Sequence, residues 1–212
     1  MKKIGIMGGT FDPIHSGHLM LGKQAYEEYD LDCVWYMPSR QPPHKKDHGI
    51  TPAALRLEMV NLAVERTPFF SCSDFELRRK DGNTYTADTL RLLKEEYPDT
   101  EFYFIVGADS IFDIEKWYHP ELVMKLAVIL AADRSCGHDD QPLDSQIQYL
   151  SAKYDARICR LHSRRMNVSS EHLRAMIRRG ESVSAYIPEP VEQFIRQKNL
   201  YLDERQWRQP KR

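Results

Sequence analysis

KKIGIMGGTFDPIHSGHL, residues 2–19, joins a short apolar run, two adjacent glycines and two histidines. The run over Lys2–Met7 predicts a parallel β-strand covered on both faces. Gly8 and Gly9 predict a tight turn whose backbone can approach a ligand closely. Helical spacing of apolar residues then begins, with Ser16 as the predicted N-cap. Because N–H groups and the dipole at a helix N-terminus favour negative charge, this unit predicts an anion site above the turn.

Strand and helix patterns alternate along the rest of the chain, which indicates βα units. We predict an α/β fold: a Rossmann-like doubly wound parallel sheet with helices on both faces and a small helical C-terminal extension. Further strands are predicted at Cys33–Met37, Phe69–Phe75, Glu101–Val106, Ala127–Ala132 and Ala156–Leu161. Further helices are predicted from Thr51 as N-cap, from Thr86 as N-cap to Tyr97, and at Leu143–Lys153, Ser170–Arg179 and Glu189–Lys198. Residues 1–212 form one predicted domain, with a core over about 1–165 and a helical part over about 166–200.

Charge and composition exclude several classes of protein. Lys and Arg total 30 against 31 Asp and Glu, whereas nucleic-acid binders usually carry a basic excess, so we expect no nucleic-acid partner. No apolar run is long enough to span a membrane, and Met1-Lys2-Lys3 leads into a strand rather than a secretory signal, so we expect no membrane association. Four scattered cysteines without metal spacing indicate a reducing, cytoplasmic location. The sequence is compatible with a homo-oligomer and equally with a monomer.

GGTFDPIHSGHL, residues 8–19, resembles the signature of the adenylyl- and cytidylyltransferase superfamily. That signature is a strand, a Gly-rich turn and an H-x-G-H tetrapeptide, which is His15-Ser16-Gly17-His18 in this chain. The fuller string is similar to that of nicotinate-nucleotide adenylyltransferases. The resemblance implies transfer of the adenylyl group of ATP to nicotinate mononucleotide, giving deamido-NAD and pyrophosphate in NAD biosynthesis. It also implies Mg²⁺ bound to the substrate phosphates, without a protein metal site.

The resemblance implies four catalytic residues: His15, His18, Lys45 and Arg174. Both histidines lie at the mouth of the predicted helix, so both can face a triphosphate. Capping, packing or metal binding are the alternatives, but two histidines without a third nearby ligand make a poor zinc site. The predicted ATP-binding turn comprises Gly8, Gly9, Thr10 and Phe11, with the Phe11 ring expected to pack beneath it.

VSSEHLR, residues 168–174, resembles the superfamily's I-S-S-T-x-I-R element, in which a helix N-terminus, a serine and an arginine hold the β- and γ-phosphates. Ser169 or Ser170 would be the N-cap, and Arg174 lies one turn beyond Ser170. Glu171 replaces the family's threonine. Its carboxylate either stabilises the helix dipole or, facing inward, repels ATP. For Arg174 a surface salt bridge is the structural alternative.

Two further matches concern the acceptor nucleotide. PPHK, residues 42–45, resembles a family segment that implies roles for His44 and Lys45, the alternative being a solvated basic loop tip. YTADTL, residues 85–90, matches a family element whose backbone N–H groups bind the nicotinate carboxylate. The implied acceptor-binding residues there are Tyr85, Thr86 and Thr89, together with Trp117, which would stack on the pyridine ring, and Tyr118.

Three residues near strand ends complete the predicted ATP site. Gly107 and Asp109 follow the fourth strand, where an acid can bind ribose hydroxyls or cap the next helix. Arg134 would contact adenine or ribose, although DRSCG, residues 133–137, departs from the family's R-P-G turn.

Two alternatives remain for the function. A related enzyme could use nicotinamide mononucleotide or phosphopantetheine, although the latter has no pyridine to stack on Trp117. A non-catalytic nucleotide-binding module is the other alternative, and joint retention of His15, His18, Lys45 and Arg174 speaks against it.

Overall fold

Six strands form one parallel sheet in the computed structural model, which describes residues 1–40, 49–79, 84–132, 141–163 and 168–202. The strands are β1 (Lys2–Gly9), β2 (Cys33–Pro38), β3 (Phe70–Cys72), β4 (Thr100–Gly107), β5 (Val128–Ala132) and β6 (Ile158–Leu161). Their order is β3-β2-β1-β4-β5-β6, and every neighbouring pair is parallel. This doubly wound order confirms the predicted α/β class.

Helices follow most strands and cover both faces of the sheet. They are α1 (Ser16–Glu28), α2 (Ala53–Val64), α3 (Phe75–Arg78), α4 (Thr86–Glu96), α5 (Ala108–Asp113), α6 (Pro120–Leu126), α7 (Gln141–Tyr154), α8 (Ser170–Arg178) and α9 (Glu189–Gln197), with a 3-10 turn at Ile114–Lys116. None of them, in the described ranges, combines the length and apolar content that a membrane crossing requires.

The sheet separates two apolar layers. In β4, Phe102 and Phe104 face the layer formed with α4 to α7, whereas Tyr103 and Ile105 face the layer formed with α1, α2, α8 and α9. This alternation follows from the period of two in a strand. The helical part predicted for residues 166–200 packs on the α1 side, through buried side chains that include Leu173.

The switch point of the sheet lies between β1 and β4, which are hydrogen-bonded neighbours. β1 leads into α1 on one face, and β4 leads into α5 on the other. Because the two connections diverge, a crevice forms outside the carboxyl ends of these strands, where ligands of open α/β sheets bind.

The predicted strand Phe69–Phe75 is wrong in length. β3 ends at Cys72, after which Ser73 N–H bonds the Tyr36 carbonyl and Phe75 begins α3. The short helices α3 and α6 were also not predicted, because four and seven residues are too few to show a helical period.

Three predicted N-caps are wrong by one residue: His15, Pro52 and Tyr85 are the N-caps, rather than Ser16, Thr51 and Thr86. The hydroxyl of Ser16 instead donates to the Tyr186 carbonyl at 2.8 Å, which ties the start of α1 to the C-terminal part.

Candidate active site

A cavity of about 730 Å³ opens at the carboxyl edge of the sheet. It is bounded by the turn after β1, the end of β4, the N-terminus of α4 and an aromatic pair that follows the 3-10 turn. The predicted site residues that line it are Gly8, Gly9, Thr10, His18, Tyr85, Thr86, Thr89, Gly107, Trp117 and Tyr118. The structure therefore brings the predicted phosphate-binding turn and the predicted acceptor-binding element to one cavity.

His15 and His18 occupy different environments at the start of α1. His15 is 5% exposed, and His18 lines the cavity. The His15 backbone N–H donates to Nδ1 of His18 at 3.2 Å. A neutral imidazole that accepts through Nδ1 carries its proton on Nε2, so His18 can offer an Nε2–H donor to a ligand.

Gly17 between the histidines lies in a tightly packed place. A Cβ at this position would lie 3.1 Å from the His15 ring and 3.1 Å from the Val168 side chain, so either side chain would have to move by a few tenths of an ångström to accept it. Glycine therefore lets the histidine pair pack closely against the segment that precedes α8.

The predicted turn at Gly8 and Gly9 is wrong, because both residues close β1 and pair with Met37 and Pro38 of β2, and the chain turns only after them. The Phe11 ring packs against Gly9 at the start of this turn and is almost completely buried. Its edge contacts the His18 ring, with centroids 5.0 Å apart and planes inclined by 84°. Phe11 is absent from the cavity lining, so its side chain supports the turn rather than facing the predicted ATP site.

The N-terminal end of α8 docks behind the turn. The Ser169 hydroxyl accepts the His172 N–H at 3.2 Å, which confirms that Ser169 is the N-cap. Ser170 Oγ donates to the Pro13 carbonyl at 2.9 Å, and Arg174 Nη1 donates to the Asp12 carbonyl at 2.7 Å. These side chains hold the backbone of the turn, and their phosphate contacts remain predictions.

The acceptor end of the cavity is aromatic. The rings of Tyr85 and Tyr118 stack with centroids 4.4 Å apart, and Trp117 contacts Phe104 edge-on at 6.3 Å. Tyr118 is 48% exposed, and Trp117 is half-buried, which leaves part of each ring accessible. Such rings can stack on a planar heterocycle, and the N-terminus of α4 beside them can bind an anion.

Four further predicted site residues either do not line the cavity or lie outside the described residues. Asp109 is exposed in the first turn of α5 and does not line the cavity, although Gly107 does. His44, Lys45 and Arg134 lie outside the described residues. No group of three or more His, Cys, Asp or Glu that could hold a metal occurs in the described ranges.

Glu76, a buried acid in the cavity wall, was not predicted from the sequence. The Glu76 carboxyl accepts the Thr89 hydroxyl at 2.9 Å, and Arg79 Nη1 donates to the same hydroxyl oxygen at 3.2 Å. Burial raises the pKa of Glu76, although hydrogen bonds from Thr89 and Thr84 and the charge of Arg79 oppose that rise. Glu76 therefore connects α3 to the first turn of α4, next to the predicted nicotinate-binding amides.

The comparisons agree with this geometry. The cytidylyltransferase-like family model matches residues 6–196. A relative from Lachnoclostridium phytofermentans, named "Probable nicotinate-nucleotide adenylyltransferase", is 46% identical over 202 residues that cover 95% of this chain and 100% of the relative. One of the same name from Clostridium botulinum is 39% identical over 204 residues, or 96% of this chain and 100% of that protein.

A solved structure with a similar fold is the nicotinic acid mononucleotide adenylyltransferase of Plasmodium falciparum complexed with NaAD. It has a TM-score of 0.77 and 22% identity, and the match covers 95% of this chain and 98% of that one. The chain therefore belongs to the cytidylyltransferase-like family, within the group of nicotinate-nucleotide adenylyltransferases.

Proposed function

We propose that this chain transfers the adenylyl group of ATP to nicotinate mononucleotide, forming deamido-NAD and releasing pyrophosphate, a step of NAD biosynthesis. The observation that supports this most is the composition of the cavity. The two glycines that end β1 and a donor imidazole lie at one end, and a helix N-terminus with aromatic rings lies at the other. One cavity thus offers places for a triphosphate and for an anionic aromatic acceptor.

The chemistry requires position and charge rather than a protein nucleophile. A phosphate oxygen of the acceptor attacks the α-phosphorus of ATP in line, and the bond from that phosphorus to the bridging oxygen of pyrophosphate breaks. The attacking phosphate is already an anion near neutral pH, so no general base is needed. His18 Nε2–H and the amides of the turn stabilise charge that develops on the transferred group and on pyrophosphate.

The proposal includes Mg²⁺, which arrives with ATP, bound by phosphate oxygens and water. It also includes phosphate contacts from Lys45, Arg174, Ser169 and Ser170. The roles of Asp109 and Arg134 at the ribose or adenine, and of His44 near the acceptor, are proposed from the family resemblance alone.

Acceptor selectivity is proposed to come from the N-terminus of α4. The N–H groups around Tyr85 and Thr86 favour a carboxylate over a neutral carboxamide, since the dipole at this helix N-terminus attracts negative charge. The pyridine ring would stack on Trp117. A cytoplasmic location is also proposed, and the free thiols of Cys33, Cys72 and Cys159 support it.

The test is pyrophosphate release from Mg-ATP with nicotinate mononucleotide and nicotinamide mononucleotide assayed side by side. We expect nicotinate mononucleotide to react at least about tenfold faster, the effect of one charged contact. Equal rates would contradict carboxylate selection. Tight ATP binding without release from either mononucleotide would instead favour a non-catalytic nucleotide-binding module.

A further inference from the structure

The carboxyl group of Asp12 lies inside the protein, in the same turn as Thr10. Asp12 is 3% exposed. Its Oδ2 accepts the Thr51 N–H at 3.2 Å, and its Oδ1 accepts the Tyr201 hydroxyl at 2.7 Å. Since a buried carboxylate is costly without such donors, Asp12 anchors the turn to two distant parts of the chain.

A buried guanidinium holds the same turn from a second direction. Arg56 in α2 is 1% exposed. Its Nε, Nη1 and Nη2 donate to the carbonyls of Thr51, Thr10 and Ser39 at 2.9, 2.7 and 2.8 Å. Burial lowers the pKa of Arg56, and the charge of Asp12 opposes that change. Arg56 thereby fixes the segment after β2 to the turn after β1.

Asp12, Thr51 and Arg56 belong to one hydrogen-bond network, because Thr51 is bonded through both its N–H and its carbonyl. Its N–H donates to Asp12, and its carbonyl accepts from Arg56. Arg56 in turn binds Thr10, two residues from Asp12. The turn can therefore shift only if several buried polar contacts break together, which is costly in a low-dielectric interior.

Tyr201, in the C-terminal part of the chain, adds a further hydrogen bond to this network. It follows α9 and reaches Asp12 across a separation of 189 residues. Its hydroxyl also lies 3.8 Å from Sδ of Met59 in α2. Burial raises the pKa of Tyr201, so its hydroxyl stays protonated and remains a donor at neutral pH.

We propose that Tyr201 is a positioning residue for ATP. It acts through Asp12 to hold the turn after β1 and the start of α1 where the triphosphate must bind. Tyr201 is absent from the cavity lining, so its effect is exerted through the turn alone. The inference rests on the proposed function, because it assumes that the triphosphate occupies the end of the cavity formed by this turn.

The test compares Tyr201→Phe with Tyr29→Phe. Tyr29 also has a partly buried hydroxyl that donates to a carbonyl, that of Arg160, but it lies at the opposite end of α1, roughly 20 Å from Ser16 at 1.5 Å per residue. Binding of α,β-methylene ATP is measured by calorimetry without acceptor. KM for each substrate and kcat are measured by pyrophosphate release.

We expect Tyr201→Phe to weaken binding of the ATP analogue and to raise KM for ATP by about tenfold, with a lower kcat, because small displacements at a reaction centre are costly. KM for nicotinate mononucleotide should stay within about twofold, since the hydroxyl contacts described for Tyr201 lead to Asp12 and Met59 and not to α4 or the aromatic pair. Tyr29→Phe should leave all three values close to wild type. Unchanged ATP binding in Tyr201→Phe overturns the inference, as does an equal loss for both substrates that Tyr29→Phe reproduces.

Hydrogen exchange at the Thr51 and Ser39 amides provides a readout without any substrate, because these N–H groups donate to Asp12 Oδ2 and to the Gly9 carbonyl. Exchange should accelerate in Tyr201→Phe at a temperature where circular dichroism shows it folded, and not in Tyr29→Phe. Unchanged exchange would refute the positioning role even for an active enzyme. Faster exchange with weaker ATP binding would support it even if the acceptor were another mononucleotide, so the two proposals fail separately.

Discussion

The imidazole rings of His15 and His18 stack face to face, with centroids 3.7 Å apart and planes inclined by 26°. The buried ring of His15 therefore restricts the orientation of His18, whose Nδ1 accepts the backbone N–H of His15 at 3.2 Å. His18 faces the cavity, whereas His15 is buried beside it and is absent from the cavity lining, and the predicted phosphate contact of His15 stays a prediction.

Replacing His18 should impair turnover without unfolding the protein. We expect His18→Ala to lower kcat by about 100- to 1000-fold, the usual cost of removing one donor to developing charge. Pyrophosphate release with saturating substrates measures it. His162→Ala is the control, because His162 contacts Glu28 at the other end of α1. A His18→Ala enzyme with native kcat would disprove the proposed role.

Trp117 should affect one substrate only. Stacking of a base on an aromatic ring contributes about 1–3 kcal/mol, so Trp117→Ala should raise KM for nicotinate mononucleotide by about 5- to 150-fold. KM for ATP should be unchanged, and Trp117→Phe should recover most of the loss. Equal changes in both KM values would show that Trp117 merely supports the fold.

Glu76 should make stability depend on pH in a defined direction. Burial raises the pKa of its carboxyl above the ordinary value of 4.5. The folded protein then holds this proton more tightly than the unfolded chain, so stability falls as pH rises from 4.5 through the raised pKa. The Glu76→Gln variant has no carboxyl group at this position, so it should not show this loss of stability.

Urea unfolding of wild type and Glu76→Gln at several pH values, starting below 4.5, measures the effect. The difference in free energy of unfolding should shift in favour of the variant as pH rises. If the free energies of unfolding of wild type and variant change in parallel with pH, the Glu76 carboxyl has the same pKa in the folded and the unfolded state.

Gly22 should tolerate no side chain while Tyr36 is present. A Cβ at Gly22 would lie 2.0 Å from the Tyr36 hydroxyl oxygen, which donates to the His18 and Leu19 carbonyls at 3.3 Å. We expect Gly22→Ala to cost about 1–3 kcal/mol or more in stability, as overpacking does. Adding Tyr36→Phe should recover part of it in thermal unfolding. If Tyr36→Phe recovers no stability, the strain in Gly22→Ala does not come from the Tyr36 hydroxyl.

Most of the fold could be predicted because its signals are local. The apolar runs of β1, β4 and β5 each lie within a few residues, and the order of βα units then limits the topology. The turn predicted at Gly8 and Gly9 was misplaced, because the pairing of these glycines with β2 extends β1 to Gly9. The acceptor element at Tyr85 and the aromatic pair after the 3-10 turn were likewise found in sequence, and the structure places both at the cavity.

What escaped prediction depends on long-range contacts. Arg56 lies in a helix among apolar residues, which was a signal, but its carbonyl partners at Thr10 and Ser39 could not be named without the fold. Asp12 was interpreted only as a turn residue, because its partner Tyr201 lies 189 residues away. The cap at His15 was missed since Ser16, the better capping residue, bonds Tyr186 instead.

The bond from Tyr201 to Asp12 has a consequence for synthesis on the ribosome. Tyr201 is translated 189 residues after Asp12, which takes about 10–40 s at roughly 5–20 residues per second. During that interval the nascent chain already contains the turn after β1, but Asp12 in that turn still lacks its hydrogen bond from Tyr201. A polypeptide released before residue 201 would keep the signature motif and lose the contact that holds it in register.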